Sequence, residues 1–277
     1  MIKIKATAAM FMVAGCFISS TVNSHEIGLQ LYSLRHQFTA DLPATFKQIN
    51  DWGINVVEGG KMLAGYSVTD YKAELEKNNI ELVSVDTDYD ELRDNPIAVA
   101  YKAKFFGAKY ATFYWIPHDP KTGFTFEHAK ETVVMMNKAG KILKDNGITL
   151  QYHAHGYEFL PYGQGTIFDY MLKNTTQAQF QMDVFWVKQA GLNPTQLLRK
   201  YPGRFTSLHL KDRKKGSVNT NNGRADVETN VVLGQGDVGI KSVVSEAKKQ
   251  GIRYFLLKMN RLVSCYRYQK VSNTYLH

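Results

Sequence analysis

A chain of 277 residues with 44% hydrophobic and 21% charged side chains carries enough apolar material for a large core, which excludes a disordered polypeptide. Its formal charge of +9 raises nucleic-acid binding, but much of the excess lies in a leader, at Lys3 and Lys5, and in an acid-free tail with Lys258, Arg261, Arg267 and Lys270. Non-specific basicity, with no nucleic acid as partner, is the reading that follows.

Residues 1–24 read as a signal peptide: Lys3 and Lys5 form a positive start, 6–18 is an apolar run too short to span a bilayer, and 19–24 is small and polar, with cleavage after Ser24. Val13, Ala14, Gly15 and Cys16 also resemble a bacterial lipobox, which would make Cys16 a lipid anchor. The expected location is periplasmic or secreted, or lipid-anchored. No later run is long enough to cross a membrane. With Cys16 cleaved off or acylated, Cys265 stands alone, so neither a disulfide nor a thiolate zinc cluster is expected.

From residue 27 strand and helix patterns alternate. Strands are expected over 27–32, 55–58, 81–86, 109–114, 148–153, 179–183, 205–210 and 253–257. Helices are expected over 42–52, 68–78, 96–106, 126–146, 167–173, 194–201 and 240–250, the first with Asp41 as N-cap and Pro43 in its first turn. Glycines at 147 and 251 end two of the helices. Eight strands and seven helices in strict alternation predict an α/β fold, a (β/α)8 TIM barrel in a single domain over 27–257. Residues 212–236 break the rhythm, being polar and too long for a plain connection; a lid or substrate loop and a solvated excursion are both open.

The chemistry gathers at strand ends. The stretch YHAHGYEF, residues 152–159, closes the fifth strand with His153, His155 and Glu158; the sixth ends in Asp183, and the seventh in His209, Lys211 and Asp212. Ligands or bases delivered by the ends of several strands mark the upper face of a parallel barrel. Carboxylate oxygen and imidazole nitrogen without sulfur suit a divalent metal such as Mn, Mg, Co or Zn. Such an ion polarises a hydroxyl and carbonyl pair on a sugar while a nearby base moves a proton between carbons. Tyr32, Tyr114, Trp115, Phe185 and Trp186 lie near strand ends, where they could stack on a sugar or pack the rim.

IGLQLYSLR, YHAHGYEF, QMDVFWVKQAG, LHLKDRKKG and LGQGDVGI, in that order, resemble the sugar phosphate isomerase/epimerase family of xylose isomerase-like TIM barrels, which includes tagatose epimerases, inosose dehydratases and endonuclease IV. The resemblance covers about 27–257. It implies a metal held by an acid on strand five, Asp183 on strand six, His209 on strand seven and a Glu on strand eight. On strand five the place falls on His153, with Glu158 a few residues on. His155, Trp186, Lys211 and Asp212 fall where the family contacts substrate; Glu158 and Glu58, the latter at the tip of strand two, are the candidate acid and base.

Strand eight departs from that pattern, because Lys258 stands where Glu is expected and the sequence after it lacks a helical period. A shifted reading frame from Lys258 can restore Glu and a helical stretch. Residues 258–277 are therefore expected to be an aberrant tail, with the last helix missing or non-native and metal binding weakened. The expected function is an exported sugar isomerase or epimerase with a small-molecule sugar or keto-sugar as substrate. Alternatives are a 3-keto-glycoside lyase or hydrolase of the same fold, an endonuclease IV-like phosphodiesterase for which the chain offers too few ligands, and a degenerate non-catalytic carbohydrate-binding barrel.

Overall fold

The computed structural model describes residues 25–59 and 65–258. The expected signal peptide with Cys16, and the expected aberrant tail beyond Lys258 with Cys265, lie outside these residues. Eight parallel strands close into a barrel: β1 (Glu26–Gln30), β2 (Val56–Glu58), β3 (Glu81–Thr87), β4 (Tyr110–Phe113), β5 (Thr149–His153), β6 (Gln179–Asp183), β7 (Phe205–Leu210) and β8 (Tyr254–Leu257). Neighbours in sequence are neighbours in space, and β8 closes the ring on β1 with Ile27 opposite Phe255 and Leu29 opposite Leu257.

The helices, in chain order, are α1 (Arg35–Ala40), α2 (Leu42–Asp51), α3 (Val68–Lys77), α4 (Tyr89–Asp94), α5 (Pro96–Phe106), α6 (Phe126–Asp145), α7 (Ile167–Asn174), α8 (Val184–Gln189), α9 (Pro194–Lys200) and α10 (Ile240–Lys249). Side-chain caps set many of their starts: Asp41 accepts from the Ala44 amide ahead of α2, and Ser67 from the Asp70 amide ahead of α3. Three short helices go beyond the sequence pattern. α1 follows a 3-10 turn at Leu31–Leu34, so β1 ends at Gln30 rather than at 32; α4 opens with a capping box between Asp88 and Glu91; α8 is capped by Asp183 itself.

Period-two alternation sorts the strands. Phe255 and Leu257 face the core between barrel and helices, whereas Tyr254 and Leu256 join Val56 and Val83 in a separate apolar cluster inside the barrel, at the end where the strands begin. Gly28 is required beside that cluster, because a Cβ there would lie 2.7 Å from Leu256 Cδ2 and from the Val56 carbonyl oxygen. Above it runs a buried polar layer. Ser84 Oγ meets Thr112 Oγ1 at 2.6 Å, Gln151 donates to Thr112 Oγ1 at 2.7 Å, Ser207 donates to Gln151 at 3.1 Å, and Gln181 donates to Ser207 Oγ at 2.9 Å. Buried polar groups in a ring of strands need such partners, and this layer supplies them from within the barrel.

Candidate active site

One further step of two residues along the strands leads to the mouth, from the polar layer on three strands and from the apolar cluster on β8. Gln151 gives way to His153, Gln181 to Asp183, Ser207 to His209 and Leu256 to Lys258, all buried. Ligand atoms of His153, Asp183 and His209 lie within 4.8 Å of one another. His153 Nε2 is 3.3 Å from Asp183 Oδ2, and His209 Nδ1 is 3.8 Å from the same oxygen. Asp183 Oδ1 is occupied separately, accepting from the Phe185 amide at 3.0 Å as the cap of α8. The carboxylate is thereby fixed with its other oxygen toward the histidines.

Glu58 completes the cluster from behind. It meets His209 Nε2 at 2.5 Å, and its other oxygen accepts from Gln181 Nε2 at 2.5 Å. A carboxylate on one ring nitrogen fixes the tautomer and leaves the other with its lone pair outward, the arrangement common to metal-bound histidines. That other nitrogen, His209 Nδ1, is buried and has no hydrogen-bond partner. Burial, with the charge of Lys258 added, holds the His153 imidazole well below its ordinary value, so this ring is neutral and keeps a lone pair on one of its nitrogens. Burial alone would raise Asp183, but the His153 and His209 rings beside it and the charge of Lys258 more than offset it and hold the carboxyl well below 3.8. Two imidazoles and an ionised carboxylate, with His209 Nδ1 left unpartnered, are a donor set that fits a divalent cation.

The mouth also receives Lys258, whose ammonium is delivered by the register of β8, the Lys258 amide donating to the Leu210 carbonyl at 3.2 Å. Its Nζ lies 3.3 Å from His153 Nε2 and 3.7 Å from Asp183 Oδ2. Lys211, buried at the end of β7, holds its amine 3.9 Å from the Phe185 ring centre and 5.3 Å from that of Trp186. Burial brings its pKa down to about 7, with Asp183 opposing and Lys258 reinforcing the shift. His155 sits between Trp115 and Trp186, with ring centres 5.8 and 5.6 Å away, and its Nδ1 is 3.3 Å from His153 Nδ1. Trp115 is among the exposed large side chains of the rim.

Two of the expected site residues are committed to the backbone. Glu158 accepts from the Tyr152 hydroxyl and from the amides of His155 and Gly156, the latter at 2.8 Å, and so ties down its own loop. It lies outside the convergent set of ligand atoms, which leaves the place on strand five to His153. Asp212 accepts from the amides of Arg213, Gly234, Gly236 and Val238, which staples the two ends of the 212–236 insertion together. Arg213 beside it pairs in two-pronged fashion with Asp237 at 2.8 and 3.0 Å. At its far end the insertion reaches the rim, where Gly223 is so close to Trp115 and Tyr157 that a Cβ would meet them at 3.1 and 2.9 Å. The excursion is a pinned cover over one side of the mouth. None of these anchors was legible in sequence, because each joins residues far apart in the chain or turns a side chain back on its own loop.

No family model matches the chain, and no curated protein matches it in sequence. Solved structures do match in fold. A sugar phosphate isomerase/epimerase from Parabacteroides distasonis aligns with a TM-score of 0.71 at 23% identity, over 90% of this chain and 97% of that one. The IOLI protein, solved with a bound zinc atom, aligns at 0.69 and 14% identity over 91% and 96% of the two chains. D-psicose 3-epimerase from Clostridium cellulolyticum H10, solved with D-tagatose, aligns at 0.62 and 14% identity over 90% and 92%. The chain therefore has the architecture of a single-domain TIM barrel with its polar groups at the C-terminal mouth. Two of the other structures that share this fold are described as xylose isomerase domain proteins.

Proposed function

We propose that the chain is an isomerase or epimerase of a sugar or keto-sugar that moves a proton at a carbon next to a carbonyl, with a cation in the His153–Asp183–His209 cluster. The observation that carries this reading is the convergence of three strand tips on one buried point, with His209 Nδ1 left unpartnered and Glu58 fixing the ring behind it. A divalent ion held by His153, Asp183 and His209 would polarise the substrate's oxygen atoms and so acidify the neighbouring C–H. The chain's own groups do the rest. Glu58 orients His209, and Trp115, Trp186 and His155 line the approach with ring faces that suit the C–H side of a sugar. Lys211, poised near neutrality on Phe185 and Trp186, is placed to take and return the proton. The leader sequence supports export, so a substrate met outside the cytoplasm fits this reading.

The test is solvent deuterium incorporation into a panel of keto-sugars and 3-keto-glycosides, scored by mass spectrometry with Mn, Mg, Co or Zn supplied in turn. Exchange into one class, lost in Asp183→Asn, is the expected outcome. Release of an aglycone without exchange would move the chemistry to elimination. Binding without exchange or turnover across the panel would make the chain a non-catalytic carbohydrate-binding barrel.

A further inference from the structure

The cluster already contains a cation of the chain's own. Tyr254, Leu256 and Lys258 lie two residues apart, and the first two sit in the apolar cluster inside the barrel, so the register of β8 carries the third into the mouth. Lys258 is buried there, with Nζ 3.3 Å from His153 Nε2 and 3.7 Å from Asp183 Oδ2, two of the three ligand atoms. A divalent ion binds imidazole nitrogen and carboxylate oxygen at about 2.0–2.2 Å, so it would have to lie among the atoms that the ammonium now faces. Lysine offers three donors and no acceptor, so the ammonium satisfies the cluster from the cation's side and cannot serve as its fourth ligand.

We propose that the Lys258 ammonium takes the place of the divalent ion in this chain, so that the His153–Asp183–His209 cluster is held together by an internal cation and binds divalent metal weakly. The proposal rests on reading the cluster as a cation site. His209 Nδ1 marks the incompleteness of the substitution. An ion would engage all three donors, whereas the ammonium reaches two and leaves this nitrogen unpartnered.

Metal titration decides the matter without any assay of turnover. The full chain and Lys258→Met, both stripped with a chelator, are titrated with Mn and Zn by calorimetry, and their melting is followed with and without metal. The expected result is that Lys258→Met binds at least ~100-fold more tightly than the unaltered chain and gains melting temperature with metal, while the unaltered chain gains none. Equal affinity in the two proteins, or micromolar or tighter binding by the unaltered chain, would overturn the proposal. The second of these outcomes needs no variant, so it stands even where Lys258→Met fails to fold. If a folded Lys258→Met binds no metal, the cation-site reading falls together with the substitution, whereas equally tight binding removes only the substitution. Adding Asp183→Asn to Lys258→Met places the metal, since the gain must vanish if the ion sits in this cluster.

Discussion

Asp183 divides its carboxylate between two tasks, with one oxygen capping α8 and the other meeting His153 and Lys258. Asn keeps the cap acceptor and loses the charge, so Asp183→Asn is expected to fold yet leave Lys258 buried without its counter-ion, at a cost of about 3 kcal/mol in a denaturant titration. The same group of side chains makes stability depend on pH. His153 is held neutral in the folded chain, so as pH falls below the unfolded value near 6.5 the unfolded state takes up the proton first and stability drops, by up to about 1.4 kcal/mol per pH unit. Asp183, depressed in the folded chain, adds stability that is present above about pH 3.8 and lost as pH falls through its folded value. The two effects run in the same direction in successive windows. His155, which burial lowers to about 3, acts in the same window as His153, so melting followed from about pH 7.5 down to pH 5 should show the slope of both rings and His153→Gln should reduce it; an unaltered slope in that variant would assign the dependence elsewhere. Lys211→Met should cut turnover by about 100-fold or more while leaving the melting temperature near that of the parent, as removal of a proton-transfer group does. A loss confined to KM would make Lys211 a binding residue instead.

The inner face of each strand is legible because its period is two and its last inward residue is polar, which is how His153, Asp183 and His209 stand out in the sequence. The short helices are not legible in that way. α8 has six residues and is capped by the last residue of β6, so its pattern merges with the strand before it, although the pair Asp88 and Glu91 ahead of α4 was a capping signal present in the sequence. The role of Asp212 was hidden for a different reason, since three of its four amide donors lie at least 22 residues further on. Asp212→Ala should strand those buried amides and cost about 3 kcal/mol, with the 212–236 segment becoming the first site of protease cleavage. Limited proteolysis checks this, and cleavage starting elsewhere would show that Arg213 and Asp237 pin the cover without help. Gly28→Ala presses a methyl group into Leu256 and the Val56 carbonyl where β1 meets β8 and β2, and overpacking there should cost about 1–3 kcal/mol in a denaturant titration.

At the scale of the molecule the alternation of strands and helices was sufficient to give the barrel, since βα units in series have few other ways to bury both faces of a parallel sheet. What alternation could not give is where long side chains come to rest, and so the placement of Lys258 inside the cluster and of Glu158 against its own loop emerges only from the closed ring. The charge has a similarly local account. Lys47 with Asp51, Lys72 with Glu76, Lys130 with Glu127 and Lys141 with Asp145 pair one helical turn apart along the outer surface. Exposed cations paired in this way have their charge answered within one helical turn.

Because all eight strands run the same way, β1 enters the ring at Glu26 on the face opposite the one where His153, Asp183 and His209 converge. Whatever holds the chain upstream of that strand, whether an acyl group, a fusion partner or a bead, grips it by its underside. The opening then looks away from the support, free to meet a diffusing solute, and attachment through the first strand is the orientation to choose for any surface-bound assay of this protein.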